Sequence, residues 1–281
     1  MMLRTVLGVL LLIGAFLSIP IPAAAQGVRE PTPIVIGQSF VIDSRVMGED
    51  REINVWLPPG YHDTDRDYPV VYLLDGGVDQ DFHHITGLAQ LGTIVGTTQD
   101  FIVVGVATRD RRNELTFRAE HDPSLIADYP THGQSDRFRQ FIADEVMPFI
   151  DAAYRTDGDE AMMGESLAGL FVLETFLRQP VLFDRYIAVS PSLWWDKGAL
   201  ADEAPALLAA QPPTGRTLWL TVADEGGEMQ AAIDRLRASL DAVTGYTWIY
   251  SARPHETHAT IYHPAALDAF RILYAPVEAT P

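Results

Sequence analysis

Ser166 lies in the stretch GESLAGL (164–170), where a short apolar run meets a longer run with helical periodicity. A serine on a sharp strand-to-helix turn exposes its hydroxyl, and the helix N-terminus stabilises negative charge beside it. Gly164 fits the pattern G-x-S-x-G, whereas Ala168 replaces the second glycine and Gly169 follows. The stretch therefore predicts a nucleophilic serine, with an ordinary serine near a helix N-cap as the alternative.

A serine nucleophile needs a base to take its proton. Three histidines follow the last predicted strand in RPHETHATIYHP: His255, His258 and His263. We expect His258 to be the base, because it lies in the loop just before the last predicted helix. These histidines lack the i, i+4 spacing of a zincin helix, so a metal would require an irregular loop site. We therefore expect no metal and no organic cofactor.

An acid that orients the base is expected in ADEGGEM (223–229), the loop after another predicted strand. The loop contains Asp224, Glu225 and Glu228. An acid in the first turn of a helix is favoured by the helix dipole alone, which explains Glu228. Glu225 has a longer reach than Asp224 and is our prediction. The other two acids, and a Ser–His dyad without an acid, remain open.

Acyl transfer also needs backbone N–H groups that stabilise the developing oxyanion. Leu167 follows the nucleophile and is expected to supply the first. The second is expected at Gly77 in the DGG turn (75–77), because glycine lets the backbone approach a ligand closely. A simple turn is the alternative for DGG, and no G-x-G-x-x-G dinucleotide fingerprint follows it.

The strands that must position these residues are indicated by two hydrophobic patterns. Segments 34–43 and 51–59 alternate apolar and polar residues and predict a β-hairpin. Continuous apolar runs at 70–74 and 101–107 predict strands that are buried on both faces. Strands then alternate with helices to the C-terminus, which predicts a mostly parallel sheet covered by helices on both faces.

Two helices and a long connection between them are also predicted. A helix is predicted over residues 82–95, and residues 108–134 are predicted to be a long irregular loop. A helix is predicted over 135–155, with Ser135 and Asp136 as its N-cap.

The first 25 residues predict a secretory signal peptide, with the basic start MMLR, an apolar run, and AAA before Gln26. A membrane anchor is the alternative, but Pro20 and Pro22 interrupt the apolar run. We therefore expect a single domain over residues 26–281, exported to the periplasm or secreted, with no stable membrane insertion after removal of the signal.

The net charge of the chain is −18, and it becomes about −19 once Arg4 is removed with the leader. Such an acidic protein is a poor partner for nucleic acid or for anionic membrane surfaces. The chain contains no cysteine, which excludes disulfides and thiol chemistry. A small-molecule substrate is compatible with all of these properties.

Several motifs together resemble a known family. YPVVYLLDGG, IVVGVATRDRRNELT, GESLAGL, SPSLWW and ETHATIYHPAAL are similar to the putative-esterase branch of the α/β-hydrolases, and most like its siderophore (enterobactin and salmochelin) esterase-like members. The similarity extends from about Phe40 to Tyr274. It implies an α/β-hydrolase fold with a mostly parallel central sheet, helices on both faces and an N-terminal antiparallel hairpin.

The resemblance also implies roles for individual residues. It implies Ser166 as nucleophile and His258 as base, and Gly77 or Gly76, with Leu167, as oxyanion donors. In relatives the loop that matches Asp110, Arg111 and Arg112 borders the substrate cleft. Arg111 or Arg112 is therefore expected to contact an acidic ligand, with a surface salt bridge as the alternative.

Trp194 and Trp195 are expected either to line a pocket for an aromatic acyl or catechol group or to fill the core. The chain departs from the family pattern at Glu165, where a histidine is usual, and at Ala168, where a glycine is usual. Neither change removes a catalytic atom, but both alter the surroundings of the cleft.

The resemblance implies an exported serine hydrolase that cleaves small-molecule carboxylic esters through an acyl-enzyme, with a siderophore-type ester as the leading substrate. Two alternatives remain. One is acyl transfer to an alcohol or sugar, as in mycolyltransferases, and the other is a non-catalytic ligand-binding module with the same fold.

Overall fold

The computed structural model describes residues 31–210 and 215–276. The predicted leader over residues 1–25 lies outside them, so it stays a prediction, as does the single domain over 26–281. Residues 31–35 are exposed and have no regular secondary structure. From Ile36 onward the described residues belong to one compact unit.

The described strands and helices alternate along most of the chain. The strands are β1 (Gln38–Ser44), β2 (Glu49–Trp56), β3 (Tyr68–Leu74), β4 (Ile102–Val106), β5 (Thr156–Glu165), β6 (Arg185–Val189), β7 (Thr217–Ala223) and β8 (Thr247–Arg253). The helices are α1 (Phe82–Val95), α2 (Arg111–Glu114), α3 (Pro123–Asp128), α4 (Ser135–Phe141), α5 (Met147–Ala153), α6 (Leu167–Arg178), α7 (Ala199–Ala210), α8 (Gly227–Asp241) and α9 (Tyr262–Leu273).

These strands form one sheet in the order β1-β2-β4-β3-β5-β6-β7-β8. Strands β3 to β8 run parallel, whereas β2 runs antiparallel to both β1 and β4. The predicted hairpin and the predicted α/β-hydrolase architecture are therefore confirmed. Because all the parallel strands end at the same edge of the sheet, the loops after β5, β7 and β8 lie close together.

Strand β3 shows why a continuous apolar run indicates burial on both faces. Val70, Tyr72 and Leu74 pack into one hydrophobic cluster, and Val71 and Leu73 pack into another on the opposite face. The first cluster includes residues of α4 to α8, and the second includes residues of α1 and α9. The sheet is thus covered by helices on both faces, as predicted.

The predicted irregular loop over residues 108–134 instead contains the short helices α2 and α3. A buried ion pair anchors this segment to the sheet: the Arg51 guanidinium donates two hydrogen bonds of 2.8 Å to the Glu114 carboxylate. Glu114 also accepts from the backbone N–H groups of Arg109 and Asp110. The partners come from β2 and α2, so their pairing depends on the fold and not on local sequence.

The predicted helix over 135–155 is present but differs in detail. A π-helical turn at Ile142–Val146 joins α4 to α5. The N-cap residue is Gln134, so the predicted N-cap at Ser135 and Asp136 is wrong by one to two positions. Ser135 is instead the buried first residue of α4, and Asp136 pairs with Arg139 one turn further along the helix. None of the helices in residues 31–210 and 215–276 combines the length and hydropathy of a membrane span.

Candidate active site

Ser166 forms the sharp turn between β5 and α6. Its φ of 63° and ψ of −118° lie outside the regions that residues with a Cβ prefer. Backbone hydrogen bonds hold this conformation: Ser166 N–H donates to Val189 O, and Ser192 N–H donates to Ser166 O, both at 3.0 Å. Backbone strain of this kind is stored at functional sites, and here it raises the serine hydroxyl above the sheet edge.

Small residues around the turn explain how the chain tolerates Ala168. A Cβ added at Gly164 would lie 2.6 Å from the Ala168 Cβ and 2.7 Å from the Ala168 backbone C, so only glycine fits at position 164. A Cβ at Gly169 would lie 2.8 Å from Val189 O on the neighbouring strand. Gly164 and Gly169 therefore provide the close packing, and the departure at position 168 leaves the turn intact.

His258 lies between Ser166 and Glu225. Its Nε2 is 3.0 Å from Ser166 Oγ, and its Nδ1 is 2.8 Å from Glu225 Oε1. A carboxylate can only accept, so Nδ1 carries the proton and Nε2 accepts from the serine hydroxyl. A serine, a neutral imidazole and a carboxylate in this order can transfer a proton away from the hydroxyl as the serine attacks a carbonyl.

The loops that carry the acid and the base are tied to each other. Asp224 N–H, directly after β7, donates to Glu256 O at 3.0 Å in the loop after β8. The Glu256 carboxylate in turn accepts from the hydroxyl of Thr260 at 2.6 Å. These bonds hold Glu225 and His258 at a fixed separation, although the two residues come from different strand ends.

The other residues considered as acid or base lie elsewhere. Asp224 is exposed, and Glu228 lies in the first turn of α8. His255 is exposed in the turn after β8, and His263 stacks on His84 with 3.1 Å between their ring nitrogens. Of these acids, the geometry brings Glu225 to the imidazole.

The three C-terminal histidines do not converge on a common point. Within residues 31–210 and 215–276, no group of three or more His, Asp or Glu side chains has the arrangement of a metal site.

The two predicted oxyanion donors have different surroundings. Leu167 opens α6 and lines the cleft beside Ser166. Gly77 N–H instead donates to the Gln80 side chain at 2.9 Å, and Gln80 is itself bound to Thr108. Gly76 N–H donates to Val106 O, and a Cβ at position 76 would lie 2.2 Å from Gly105 Cα. Gly76 therefore serves the packing of β3 on β4, whereas the role of Gly77 as the second oxyanion donor stays a prediction.

A cleft of ≈ 510 Å³ opens beside the nucleophile. Arg112 and Trp194 line it, as expected from the resemblance. Trp194 is 38% exposed, and Arg112 stacks on the ring of Tyr129 at 4.1 Å. Trp195 is buried instead, and its indole N–H donates to Phe117 O. Of the two tryptophans, one lines the cleft and the other belongs to the core.

Arg111 pairs with Asp75 at the end of β3, at 2.8 and 2.9 Å, although it also borders the cleft. The alternative of a structural ion pair therefore describes Arg111, and Arg112 is the arginine that the cleft leaves available to a ligand.

Ser192 is a residue of the site that the sequence reasoning missed. Its buried hydroxyl lies 3.3 Å from Ser166 Oγ and also lines the cleft. The signal was present in the motif SPSLWW, which follows β6 at the same sheet edge as the nucleophile. Ser192 is positioned to orient the Ser166 hydroxyl toward His258.

Two acidic side chains near the nucleophile are unusually hard to ionise. Burial raises the pKa of Glu165 to about 7, although His258 Nε2, 3.9 Å away, acts in the opposite direction. Burial and the negative charge of Asp75 raise the pKa of Asp81 to about 6. Near neutral pH these carboxyls are therefore partly protonated, and any cation that reaches them favours their ionised forms.

Comparison with known proteins identifies relatives over most of the chain. The family model described as "Putative esterase" matches residues 44–262. The siderophore enterobactin esterase of Emericella nidulans is 32% identical over 124 residues, which cover 41% of each chain. The ferri-bacillibactin esterase of Bacillus subtilis is 30% identical over 165 residues, 53% of this chain and 56% of the relative. The aligned part thus spans about half the length of these relatives.

Solved structures show the same fold. An IroE-like serine hydrolase from Shewanella oneidensis superposes with a TM-score of 0.74 at 29% identity, covering 85% of this chain and 80% of that one. A siderophore hydrolase from Aspergillus nidulans superposes with a TM-score of 0.75 at 23% identity, covering 90% and 100% of the two chains. The second likeness concerns the fold alone.

Proposed function

The chain belongs to the esterase family, and from this premise we propose that it is a serine hydrolase that cleaves carboxylic esters through an acyl-enzyme. The observation that supports the proposal most strongly is the continuous line of hydrogen bonds from Glu225 through His258 to Ser166. A serine without a catalytic role requires neither a strained backbone conformation nor an imidazole within hydrogen-bond distance of its hydroxyl, and Ser166 has both.

In the proposed reaction, Ser166 Oγ attacks the ester carbonyl carbon while His258 Nε2 takes the hydroxyl proton. The carbonyl oxygen becomes an oxyanion, and the Leu167 N–H at the start of α6 stabilises it. The imidazolium then protonates the departing alkoxide, which leaves as the alcohol. Glu225 stabilises the imidazolium without taking its proton.

The same groups complete the cycle. His258 takes a proton from a water molecule, and the resulting hydroxide attacks the acyl-enzyme carbonyl. The second tetrahedral intermediate collapses, His258 returns the proton to Ser166 Oγ, and the carboxylic acid leaves.

We propose a siderophore-type ester as the substrate. Relatives that carry the names enterobactin esterase and ferri-bacillibactin esterase support this choice. The cleft lining is compatible with it, since Trp194 offers an aromatic face and Arg112 offers a cation to an acidic ring substituent.

A panel of esters that includes a catecholate siderophore tests both proposals. We expect the wild-type protein to hydrolyse esters and to react with a fluorophosphonate probe, and Ser166→Ala to do neither. Hydrolysis that persists in Ser166→Ala would remove the proposed nucleophile, and an unlabelled wild-type protein would favour a non-catalytic module. If acyl esters of an added alcohol accumulate in place of the free acid, the protein is an acyltransferase.

Export is part of the proposal and is supported by the leader-like pattern of residues 1–25. The mass of the protein purified from the cells that produce it checks this point. A mature chain that begins near Gln26 is expected, and a full-length chain in the cytoplasm would contradict it.

A further inference from the structure

A second cleft, of ≈ 390 Å³, opens next to the catalytic histidine. Its lining includes Asp81, His84, Glu165, His258, Tyr262 and His263. His258 also lines the first cleft, so its imidazole stands where the two clefts meet. Because His258 protonates the departing alkoxide, a group that continues from the alcohol oxygen can extend into the second cleft.

The second cleft contains two carboxyl groups without a matching cation. Among the described residues, neither the Asp81 nor the Glu165 carboxyl accepts a hydrogen bond. The charge of Arg111 acts on both carboxyls, but its guanidinium is bound to Asp75 through two of its nitrogens. Near neutral pH the cleft therefore carries part of the charge of two carboxylates, and no lysine or arginine among the described residues forms an ion pair with either of them.

Tyr262 adds an independent sign of a missing ligand. The residue is 9% exposed, and its hydroxyl has no hydrogen-bond partner among the described residues. Asp81 and Glu165 line the same cleft as Tyr262, so the three groups lie near one another. A buried hydroxyl without a partner costs about 1–3 kcal/mol, a cost that a ligand with hydrogen-bond donors would remove.

The remaining titratable groups that face the cleft already have partners. His84 on α1 and His263 on α9 lie with their ring nitrogens 3.1 Å apart, so one ring donates a hydrogen bond to the other. Burial and the neighbouring His263 lower the pKa of His84, so this ring stays neutral. His258 is already oriented by Glu225 on its other side.

We propose that the second cleft binds the alcohol part of the substrate and selects alcohols that carry a protonated amine, held by Asp81, Glu165 and the Tyr262 hydroxyl. The inference rests on the proposed ester hydrolysis. An ammonium group supplies the positive charge and the N–H donors that the cleft lacks. Because it lies beyond the alcohol oxygen, it keeps that oxygen beside His258.

Two esters of the same shape test the proposal: 2-(dimethylamino)ethyl butanoate, which is protonated at neutral pH, and 3-methylbutyl butanoate, in which carbon replaces the nitrogen. We expect the amine ester to bind to Ser166→Ala about tenfold more tightly than the neutral ester in calorimetry. In the wild-type protein we expect a kcat/KM ratio of similar size in favour of the amine ester.

Variants then locate the preference. Adding Asp81→Asn should lower both ratios several-fold, because it removes one of the two carboxylate charges without changing shape. Tyr262→Phe should lower them by a smaller factor and provides a second test if the Asp81 variant folds poorly. Asp43→Asn removes a charge of the same sign from the exposed edge strand β1 and is the control, with both ratios unchanged.

The outcomes separate this inference from the proposed function. Equal binding and equal kcat/KM for the two esters, with hydrolysis that depends on Ser166, would overturn the amine cleft and leave the esterase intact. A binding preference in Ser166→Ala together with no hydrolysis of any ester by wild type would support the cleft and reject the esterase. A preference that is undiminished in both Asp81→Asn and Tyr262→Phe would also overturn the cleft.

Discussion

Replacing Glu225 with glutamine removes the charge that faces His258 and keeps the shape of the side chain. In the transition state His258 is an imidazolium, and the carboxylate oxygen lies 2.8 Å from its Nδ1. At an effective dielectric constant of about 20, this attraction is about 6 kcal/mol. The His258 side chain is 43% exposed, so solvent screens part of it, and a loss of about 2–4 kcal/mol remains. We therefore expect kcat to fall about 30- to 900-fold.

Steady-state hydrolysis of 4-nitrophenyl butanoate measures this effect, with kcat and KM determined separately. The expected loss is in kcat, because Glu225 acts on a charge that exists only after proton transfer. Asp224→Asn is the matched control: it changes an exposed acid one residue earlier and keeps the backbone bond to Glu256. Full activity in Glu225→Gln would reject Glu225 as the orienting acid and favour a Ser–His dyad, and equal losses in the two variants would reject the electrostatic reasoning.

Three further substitutions test the strain, the burial and the ion pair inferred above. Ser166→Gly should abolish ester hydrolysis yet raise the free energy of unfolding by about 1 kcal/mol, because glycine tolerates a φ of 63° that serine does not. Urea denaturation measures this gain in stability, and Ser166→Ala, the control, should not show it. Glu165→Gln should raise the free energy of unfolding at about pH 8 by about 1–3 kcal/mol, and denaturation at about pH 5 should show a smaller gain. The reason is that the folded protein raises the Glu165 pKa to about 7, so the wild-type protein loses stability as the pH rises from the unfolded pKa toward that value. Glu114→Gln should destabilise the protein by about 1–3 kcal/mol in urea denaturation, because it leaves the buried Arg51 guanidinium with only the half-exposed Glu49 as a counter-charge, and an unchanged midpoint would contradict this account.

Elements with a strong periodic pattern were predictable from the sequence. The helix Phe82–Val95 has the predicted bounds, and β7 leads directly into the loop ADEGGEM, before which a strand was predicted. The hairpin was predicted too, although β1 begins at Gln38, four residues later than its pattern suggested. Periodicity reports which side chains face the core, and in these segments burial alone determines the structure.

Segments whose structure depends on distant partners were not predictable. The loop 108–134 contains two short helices that are anchored by distant residues: Arg51 binds Glu114 in α2, and the Asp196 carboxylate accepts from the backbone N–H of Asp122 just before α3. The hydrogen bond from Gly77 to Gln80 likewise has no periodic signal. The placement of Ser192 beside Ser166 follows from the parallel pairing of β5 with β6, which the local sequence does not encode.

The sequence by itself determined the alternation of strands and helices and the strand-to-helix turn that carries Ser166, because burial patterns and small residues act over a few neighbouring positions. It narrowed the acid to three candidates and favoured Glu225 by the reach of its side chain, with the other two acids left open. Only the tertiary structure decided that Glu225, and not Asp224, reaches His258, because the bond between Asp224 N–H and Glu256 O joins two loops from different strand ends. It also decided that Asp81, Glu165 and Tyr262 share one cleft, since their chain positions become neighbours only when β5, α1 and α9 meet at the same edge of the sheet.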